Sequence, residues 1–298
     1  MQQRNRASQH HYPSLAGRNA IVTGGGRGLG RVMALALIEQ GANVMITGAR
    51  AVDELAATEA EARALGAGCC ASMLEDVSEP DACERVARAA QTAFGSVDVL
   101  VNNAARGPRE QIGANGSRFW ESDISGHHRM LLTNLAGPFL MARACVPGMI
   151  ARKFGRIINI STSRPTMVRV GAGPYGPLKA ALEASTRIWA VELKGTGVTV
   201  NVLLPGGRSD TPAIPGEGVG TRAAPFTAGE GRRGQEGIND TGFLPPAIMA
   251  PPLLWLASDE SNGVTGRRFV ARDWSDAKPT AEAVNFAEAD RIEWPHII

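Results

Sequence analysis

Asn19-Ala20-Ile21-Val22-Thr23-Gly24-Gly25-Gly26-Arg27-Gly28-Leu29-Gly30 is the stretch on which the fold turns. The apolar run NAIVT reads as a short strand, and from Gly28 to about Gln40 the apolar residues follow a helical period. Glycines between a strand and a helix let the turn tighten, let the backbone approach a pyrophosphate, and let the helix pack close to the strand. The helix N-terminus adds unpaired N–H groups and the positive end of its dipole. Gly24, Gly28 and Gly30 form GxxxGxG rather than GxGxxG. A glycine turn alone is a weak signal, because any tight turn needs glycine. Its place between strand and helix makes it stronger.

Outward from this turn the period keeps switching. Asn43 to Thr47 reads as a second strand and Val52 to Leu65 as a second helix. Gly68 to Leu74, Glu79 to Ala93 and Val97 to Asn102 continue as strand, helix, strand. Arg156 to Ile160, a long helix from about Pro174 to Lys194, and Val198 to Leu204 follow. Strands apolar at nearly every position, spaced by helices, imply a parallel sheet covered on both faces. The expected fold is therefore α/β, a single doubly wound domain over 17–274, with extensions at 1–16 and 275–298. Residues 206–245 break the rhythm with Gly, Pro, Thr and charge. A stretch so long without periodicity, placed after the sixth strand where open sheets bind ligands, reads as a substrate-covering lid.

Composition narrows the function. The chain has 298 residues, 44% hydrophobic and 20% charged, enough for a sizeable core. Its 31 basic and 29 acidic residues leave a net charge of +2, which argues against nucleic acid or an anionic membrane as main partner. The four cysteines show no CxxC spacing, and Cys69 and Cys70 are adjacent, so a reduced compartment is the natural reading. The N-terminus has no signal-peptide stretch, and the apolar segment from Phe243 to Ala257, with four prolines, is shorter than the roughly 20 residues of a span. A cytoplasmic protein is expected. His10, His11, His127, His128 and His296 form neither HExxH nor a Cys/His metal spacing, so no metal is expected. His127 and His128 read as a polar helix face, with His128 able to approach a substrate. Trp189, Trp255 and Trp274 read as core or interface aromatics.

Further motifs follow in order: TGGGRGLG at 23–30, DV at 76–77, NNA at 102–104, Asn134 in TNLAGPF, Tyr175 and Lys179 in YGPLK, PG at 205–206 and VTG at 264–266. In that order and on those elements, the sequence resembles the short-chain dehydrogenase/reductase family from about residue 17 to 271. The resemblance implies a Rossmann-like fold and an NAD(P)-dependent oxidoreductase that interconverts an alcohol with a ketone or aldehyde. It also implies a homodimer or homotetramer.

Tyr175 and Lys179 stand at i and i+4, on one helix face. A free tyrosine is a poor acid or base at neutral pH, and a neighbouring ammonium favours its phenolate. A tyrosine so tuned can exchange a proton with a carbinol or carbonyl oxygen. Pro174 and Pro177 depart from the family pattern, although both fit a first helical turn.

The remaining roles come from the resemblance. A hydroxyl at the end of the fifth strand holds the substrate oxygen. Register and the distance to the tyrosine point to Thr162, the family's residue type to Ser163. Asn134 holds a backbone carbonyl and a water leading to the lysine, and Lys179 also holds the ribose. The cofactor-binding set is Gly24, Arg27, Gly28, Leu29, Gly30, Arg50, Asp76, Val77, Asn103, Ala104, Tyr175, Lys179, Pro205 and Gly206. Asp76 would accept from the adenine amino group with Val77 beside the ring; capping the helix near Glu79 is its other reading. Ala105 replaces the usual glycine after NNA.

A carboxylate about 20 residues past the turn would select NAD. Here Ile46-Thr47-Gly48-Ala49-Arg50 ends the second strand without one, and Asp53 starts the next helix. Arg27 and Arg50 could pair with a 2′-phosphate, so NADP(H) is favoured over NAD(H). Two rivals remain on the same fold: a non-catalytic dinucleotide-binding regulator, which would normally have lost the tyrosine or lysine, and a dehalogenase-like lyase, which would have replaced the glycine turn.

Overall fold

The computed structural model describes residues 11–107, 118–207, 209, 243–274 and 288–291. Eight strands form one sheet: β1 (Asn19–Val22), β2 (Asn43–Gly48), β3 (Cys70–Leu74), β4 (Val99–Asn102), β5 (Gly155–Ile160), β6 (Val198–Leu204), β7 (Arg267–Val270) and β8 (Glu288–Arg291). Their order is β3-β2-β1-β4-β5-β6-β7-β8. The first seven pair in parallel and β8 joins β7 antiparallel. Residues 288–291, read from sequence as part of a C-terminal extension, thus form the edge of the sheet.

The helices are α1 (Gly28–Glu39), α2 (Val52–Leu65), α3 (Pro80–Phe94), α4 (Ile124–Leu131), α5 (Gly137–Ala151), the short α6 (Arg164–Met167), α7 (Tyr175–Glu192) and α8 (Ala250–Ala257). Period-two alternation in the strands feeds two cores. Val44, Ile46, Val99, Val101, Ile158 and Ile160 pack toward α1 and α8. Met45, Leu100, Ile157 and Val200 pack toward α3 and α5 on the opposite face. The inner strands β1, β2, β4, β5 and β6 are buried on both sides, hence their unbroken apolar runs, whereas the edge strand β3 is only half-buried. Signals for helix ends are local: α2 stops at Gly66 and α3 at Gly95, both at positive φ, and Pro80 opens α3.

Two segments differ from a simple hydropathy reading. The prolines at 251 and 252 occupy the first turn of α8, where a missing N–H costs nothing, and α8 is wholly buried. The continuous helical stretch Ile124–Ala151 is long and apolar enough to cross a membrane by composition, yet α5 within it packs against α3, β4 and β5. Between α4 and α5 this stretch widens into a π turn over Leu132–Ala136.

β1 and β4 are neighbours although two strands, β2 and β3, lie between them in sequence, so the chain leaves them in opposite directions. The crevice beyond their C-terminal ends is where such sheets bind ligands. The glycine turn follows β1 and Asn103-Ala104 follow β4, so both border it. The expected lid at 206–245 lies, apart from 206, 207, 209 and 243–245, outside the described residues.

Candidate active site

The glycine turn is shaped by contacts that only hydrogen permits. Gly24 and Gly28 have φ of +65° and +54°. A Cβ on Gly30 would stand 2.2 Å from the Gly24 carbonyl oxygen, and one on Gly25 2.6 Å from Ile46. The turn therefore packs backbone on backbone. The N-cap of α1 is Arg27, whose side chain makes no capping bond to the first N–H groups of this 12-residue helix. Bare backbone, uncapped N–H groups and a helix dipole fit the pyrophosphate of a dinucleotide. Leu29 packs on the core beneath.

Thr23 and Asn103 clasp the turn to β4. Thr23 Oγ1 accepts from the backbone N–H of Asn103 and of Ala104, both at 3.0 Å. Asn103 Nδ2 donates to the carbonyls of Thr23 (2.9 Å) and Gly24 (3.2 Å). The Asn103 side chain is thus spent on the turn, leaving its backbone and Ala104 to border the crevice.

Asp76 is committed on both oxygens. Oδ1 accepts from the N–H (3.0 Å) and hydroxyl (2.8 Å) of Ser78, and Oδ2 meets Arg106 Nη2 at 3.3 Å. It does not cap α3, whose N-cap position belongs to Glu79. The Val77 side chain is buried in the core with Cys83. Arg27 reaches Glu54 at 3.4 Å, and Asp53 lies in the first turn of α2. Arg50 is exposed just past β2. Pro205 is buried after β6, its carbonyl accepting from Arg272 N–H at 3.1 Å. Gly206, at φ +91°, leaves no room for a Cβ beside Val270.

Asn134 lies in the π turn, wholly buried. Its side chain accepts from Arg106 N–H at 2.7 Å and donates to the Arg106 carbonyl at 2.9 Å. The backbone carbonyl it holds is therefore that of Arg106. Arg106, unremarked in the sequence, ties the loop after β4 to Asn134, Thr133 and Asp76 together.

Tyr175 and Lys179 begin α7 on one face, as their spacing requires. Pro174 is the N-cap and Pro177 sits in the first turn. Gly176 lets α6 approach, since a Cβ there would stand 2.0 Å from the Met167 carbonyl oxygen. Lys179 is 2% exposed and donates from Nζ to the Ile160 carbonyl at 2.7 Å. Its Nζ is 6.0 Å from the Tyr175 ring centroid. Burial pushes the ammonium down to about 8, with the Glu183 carboxylate working the other way. Burial raises the Tyr175 phenol, and a hydrogen bond with the Thr162 side chain lowers it.

The two candidate hydroxyls part here. The Thr162 side chain acts on the phenol, lowering its pKa, and its backbone carbonyl accepts from Arg268 Nη2 at 3.1 Å. Ser163 is the N-cap residue of α6, and its hydroxyl shares a 2.9 Å bond with Thr166. His127 and His128 are exposed on α4, whereas Trp255 and Trp274 are core residues whose ring centroids lie 5.9 Å apart.

With a dinucleotide cradle at one end of the crevice and a hydroxyl, phenol and ammonium gathered at β5 and α7, comparison with known proteins decides the family. The short chain dehydrogenase family profile matches residues 18–215. This chain belongs to the short-chain dehydrogenase/reductase family. A short-chain type dehydrogenase/reductase of Picea abies is 33% identical over 266 residues, covering 85% of this chain and 90% of that protein. Fluoren-9-ol dehydrogenase of Terrabacter sp. (strain DBF63) is 31% identical over 279 residues, 88% of this chain and 72% of that one. The crystal structure of a metagenomic short-chain oxidoreductase in complex with NADP superposes with a TM-score of 0.65 at 29% identity, covering 83% of this chain and 92% of that chain. The protein is accordingly an oxidoreductase that moves hydride between a nicotinamide dinucleotide and an alcohol or carbonyl.

Proposed function

We propose that Tyr175 is the acid/base of this oxidoreductase, with Thr162 rather than Ser163 orienting the substrate oxygen. The single observation that carries this reading is that the Ser163 hydroxyl is engaged by Thr166 at the start of α6, while the Thr162 side chain acts on the Tyr175 phenol and lowers its pKa. When bound, the dinucleotide supplies or takes up hydride. Tyr175 gives its proton to a carbonyl oxygen in reduction and takes one from a hydroxyl in oxidation. Thr162 donates to the same oxygen and stabilises the charge that develops on it. Lys179, anchored on the Ile160 carbonyl, favours the phenolate and holds the ribose, and Asn134 supports the proton path. Gly24, Gly28, Leu29 and Gly30 hold the pyrophosphate, with Asn103, Ala104, Asp76, Val77, Pro205 and Gly206 bordering the rest of the cofactor.

Tyr175→Phe keeps the ring and removes the exchangeable proton. Turnover of a panel of secondary alcohols and ketones should fall on the order of 10²-fold or more while cofactor affinity survives. Near-normal turnover sinks the assignment.

NADP(H) is the preferred cofactor in this reading. No carboxylate ends β2, and the relative that superposes on the chain was crystallised with NADP. Arg50 and Arg27 are the candidates for the 2′-phosphate, Arg27 exchanging its 3.4 Å contact with Glu54 for it. Arg50→Ala should weaken NADP(H) more than NAD(H), and a higher kcat/KM of the wild type for NAD(H) overturns the preference. A reduced, cytoplasmic setting accords with four free thiols, and a homo-oligomer accords with the exposed Phe139, Ile150, Ile188 and Val191 on α5 and α7.

A further inference from the structure

Behind the proposed catalytic groups lies a buried ion pair that their chemistry does not use. Arg268 of β7 donates from Nε to both oxygens of Glu183, at 3.2 and 3.1 Å, and the two side chains are 6% and 14% exposed. Glu183 follows Lys179 at i+4 on α7, so Tyr175, Lys179 and Glu183 share a face. Arg268 pairs in register with Val202, which pairs with Asn159. Asn159 Nδ2 donates to Thr186 on α7, so this row faces that helix. The guanidinium crosses β6 on the α7 side to reach the end of β5.

Three consecutive residues are fastened there. Lys179 Nζ holds the Ile160 carbonyl at 2.7 Å. Glu183 Oε1 accepts from the Ser161 hydroxyl at 2.5 Å. Arg268 Nη2 donates to the Thr162 carbonyl at 3.1 Å. Past Ser161, whose N–H still bonds the Leu203 carbonyl, the strand ladder stops, so these contacts replace it in setting the Thr162 backbone. An exposed pair on the same elements would add little, but a buried pair is retained at a desolvation cost that apolar side chains would avoid.

We infer that Glu183 and Arg268 are positioning residues that aim the Thr162 hydroxyl at the Tyr175 phenol. The inference rests on the acid/base reading above and adds two residues to it. Charged groups around the phenol come from α7 (Lys179, Glu183), β7 (Arg268) and the exposed Arg164 of α6; the π turn carries none, and β5 only Arg156 at its opposite end.

The test uses the double variant Glu183→Gln with Arg268→Met. A single change leaves one buried charge unpaired and can unfold the chain, whereas removing both charges avoids that penalty. The chain has two tyrosines, Tyr12 and Tyr175, so phenol ionisation followed by ultraviolet difference absorbance is resolved by subtracting the Tyr175→Phe curve. Without its Thr162 bond, Tyr175 should ionise at higher pH than in the wild type. At the same time kcat should fall about 10- to 100-fold with cofactor affinity kept, the loss expected when a reacting group is misplaced by about 1 Å. Arg268→Lys, which keeps the charge but not the fork, should recover folding and only part of kcat. If the double variant melts like the wild type and keeps both its phenol titration and its kcat, the pair is only structural and the inference is overturned. Full activity of Tyr175→Phe would instead overturn the acid/base reading and leave the titration result standing by itself.

Discussion

Replacing Thr162 and Ser163 singly by alanine separates two neighbouring hydroxyls that composition cannot distinguish. Thr162→Ala removes the hydroxyl that acts on the phenol and lowers its pKa. A donor aimed at developing charge is worth about 2–4 kcal/mol. At 1.36 kcal/mol per tenfold this is about 30- to 1,000-fold in kcat. Ser163→Ala removes a neutral 2.9 Å bond to Thr166 at the start of α6. Such a bond contributes about 0.5–1.5 kcal/mol to stability and nothing to the reacting atoms. Turnover of Ser163→Ala should therefore stay within about threefold of the wild type, a barrier change under about 0.7 kcal/mol. The assay is steady-state turnover at saturating dinucleotide, with cofactor affinity measured separately by tryptophan quenching so that binding and chemistry are not confused. Thr162→Ser serves as the rescue: it restores the hydroxyl without the β-branch that stiffens χ1, so most but not all activity should return. The pH dependence gives a second reading. Because the Thr162 bond lowers the Tyr175 pKa, Thr162→Ala should move the phenol's ionisation upward, and Ser163→Ala should leave it in place. A larger loss in Ser163→Ala than in Thr162→Ala, or wild-type turnover in Thr162→Ala, refutes the geometry.

Gly30→Ala places a Cβ 2.2 Å from the Gly24 carbonyl oxygen and 2.5 Å from Asn103 Nδ2, so relief must loosen the clasp between turn and β4. Overpacking of this kind costs typically about 1–3 kcal/mol, and dinucleotide titration should show weakened binding alongside a lowered urea midpoint; unchanged affinity counts against the cradle. Lys179 makes a pH-dependent contribution whose sign is fixed by burial. Its folded pKa of about 8 lies below the ordinary 10.5, so between these values the unfolded chain binds more protons and stability rises with pH. The rise is at most about 3 kcal/mol, with no slope from this group below pH 8. Urea unfolding of the apoprotein across that window should show the rise in the wild type and lose it in Lys179→Met, and equal slopes in the two would show that the ammonium is not buried.

Local pattern was sufficient for the first six strands and the helices α1, α2, α3 and α7, though not for β7, β8 and α8. The apolar run VTVNVLL predicts β6 over Val198–Leu204, where it lies, and the Ala/Glu-rich segment predicts α2 over Val52–Leu65. Strand-turn-helix order places the glycines, and i, i+4 spacing puts Tyr175 and Lys179 on one face, because these depend on residues close in sequence. What needed tertiary structure involves partners far apart in the chain. Ser161 meets Glu183 across 22 residues, Glu183 meets Arg268 across 85, and Arg268 meets Thr162 across 106. The paired arginines that open Arg267-Arg268-Phe269-Val270 and a glutamate four residues past the lysine were the available signals. Neither names its partner, since a pairing across strands leaves no period to read. The choice between Thr162 and Ser163 turned on where β5 ends and α6 begins, a boundary that sequence patterns place only to within a few residues. Asp76 and Asn134 were singled out by the family resemblance, but Arg106, which engages both, is set by the path of the loop after β4. Elements follow from neighbours along the chain; the direction of each polar side chain follows from which strands the sheet brings together.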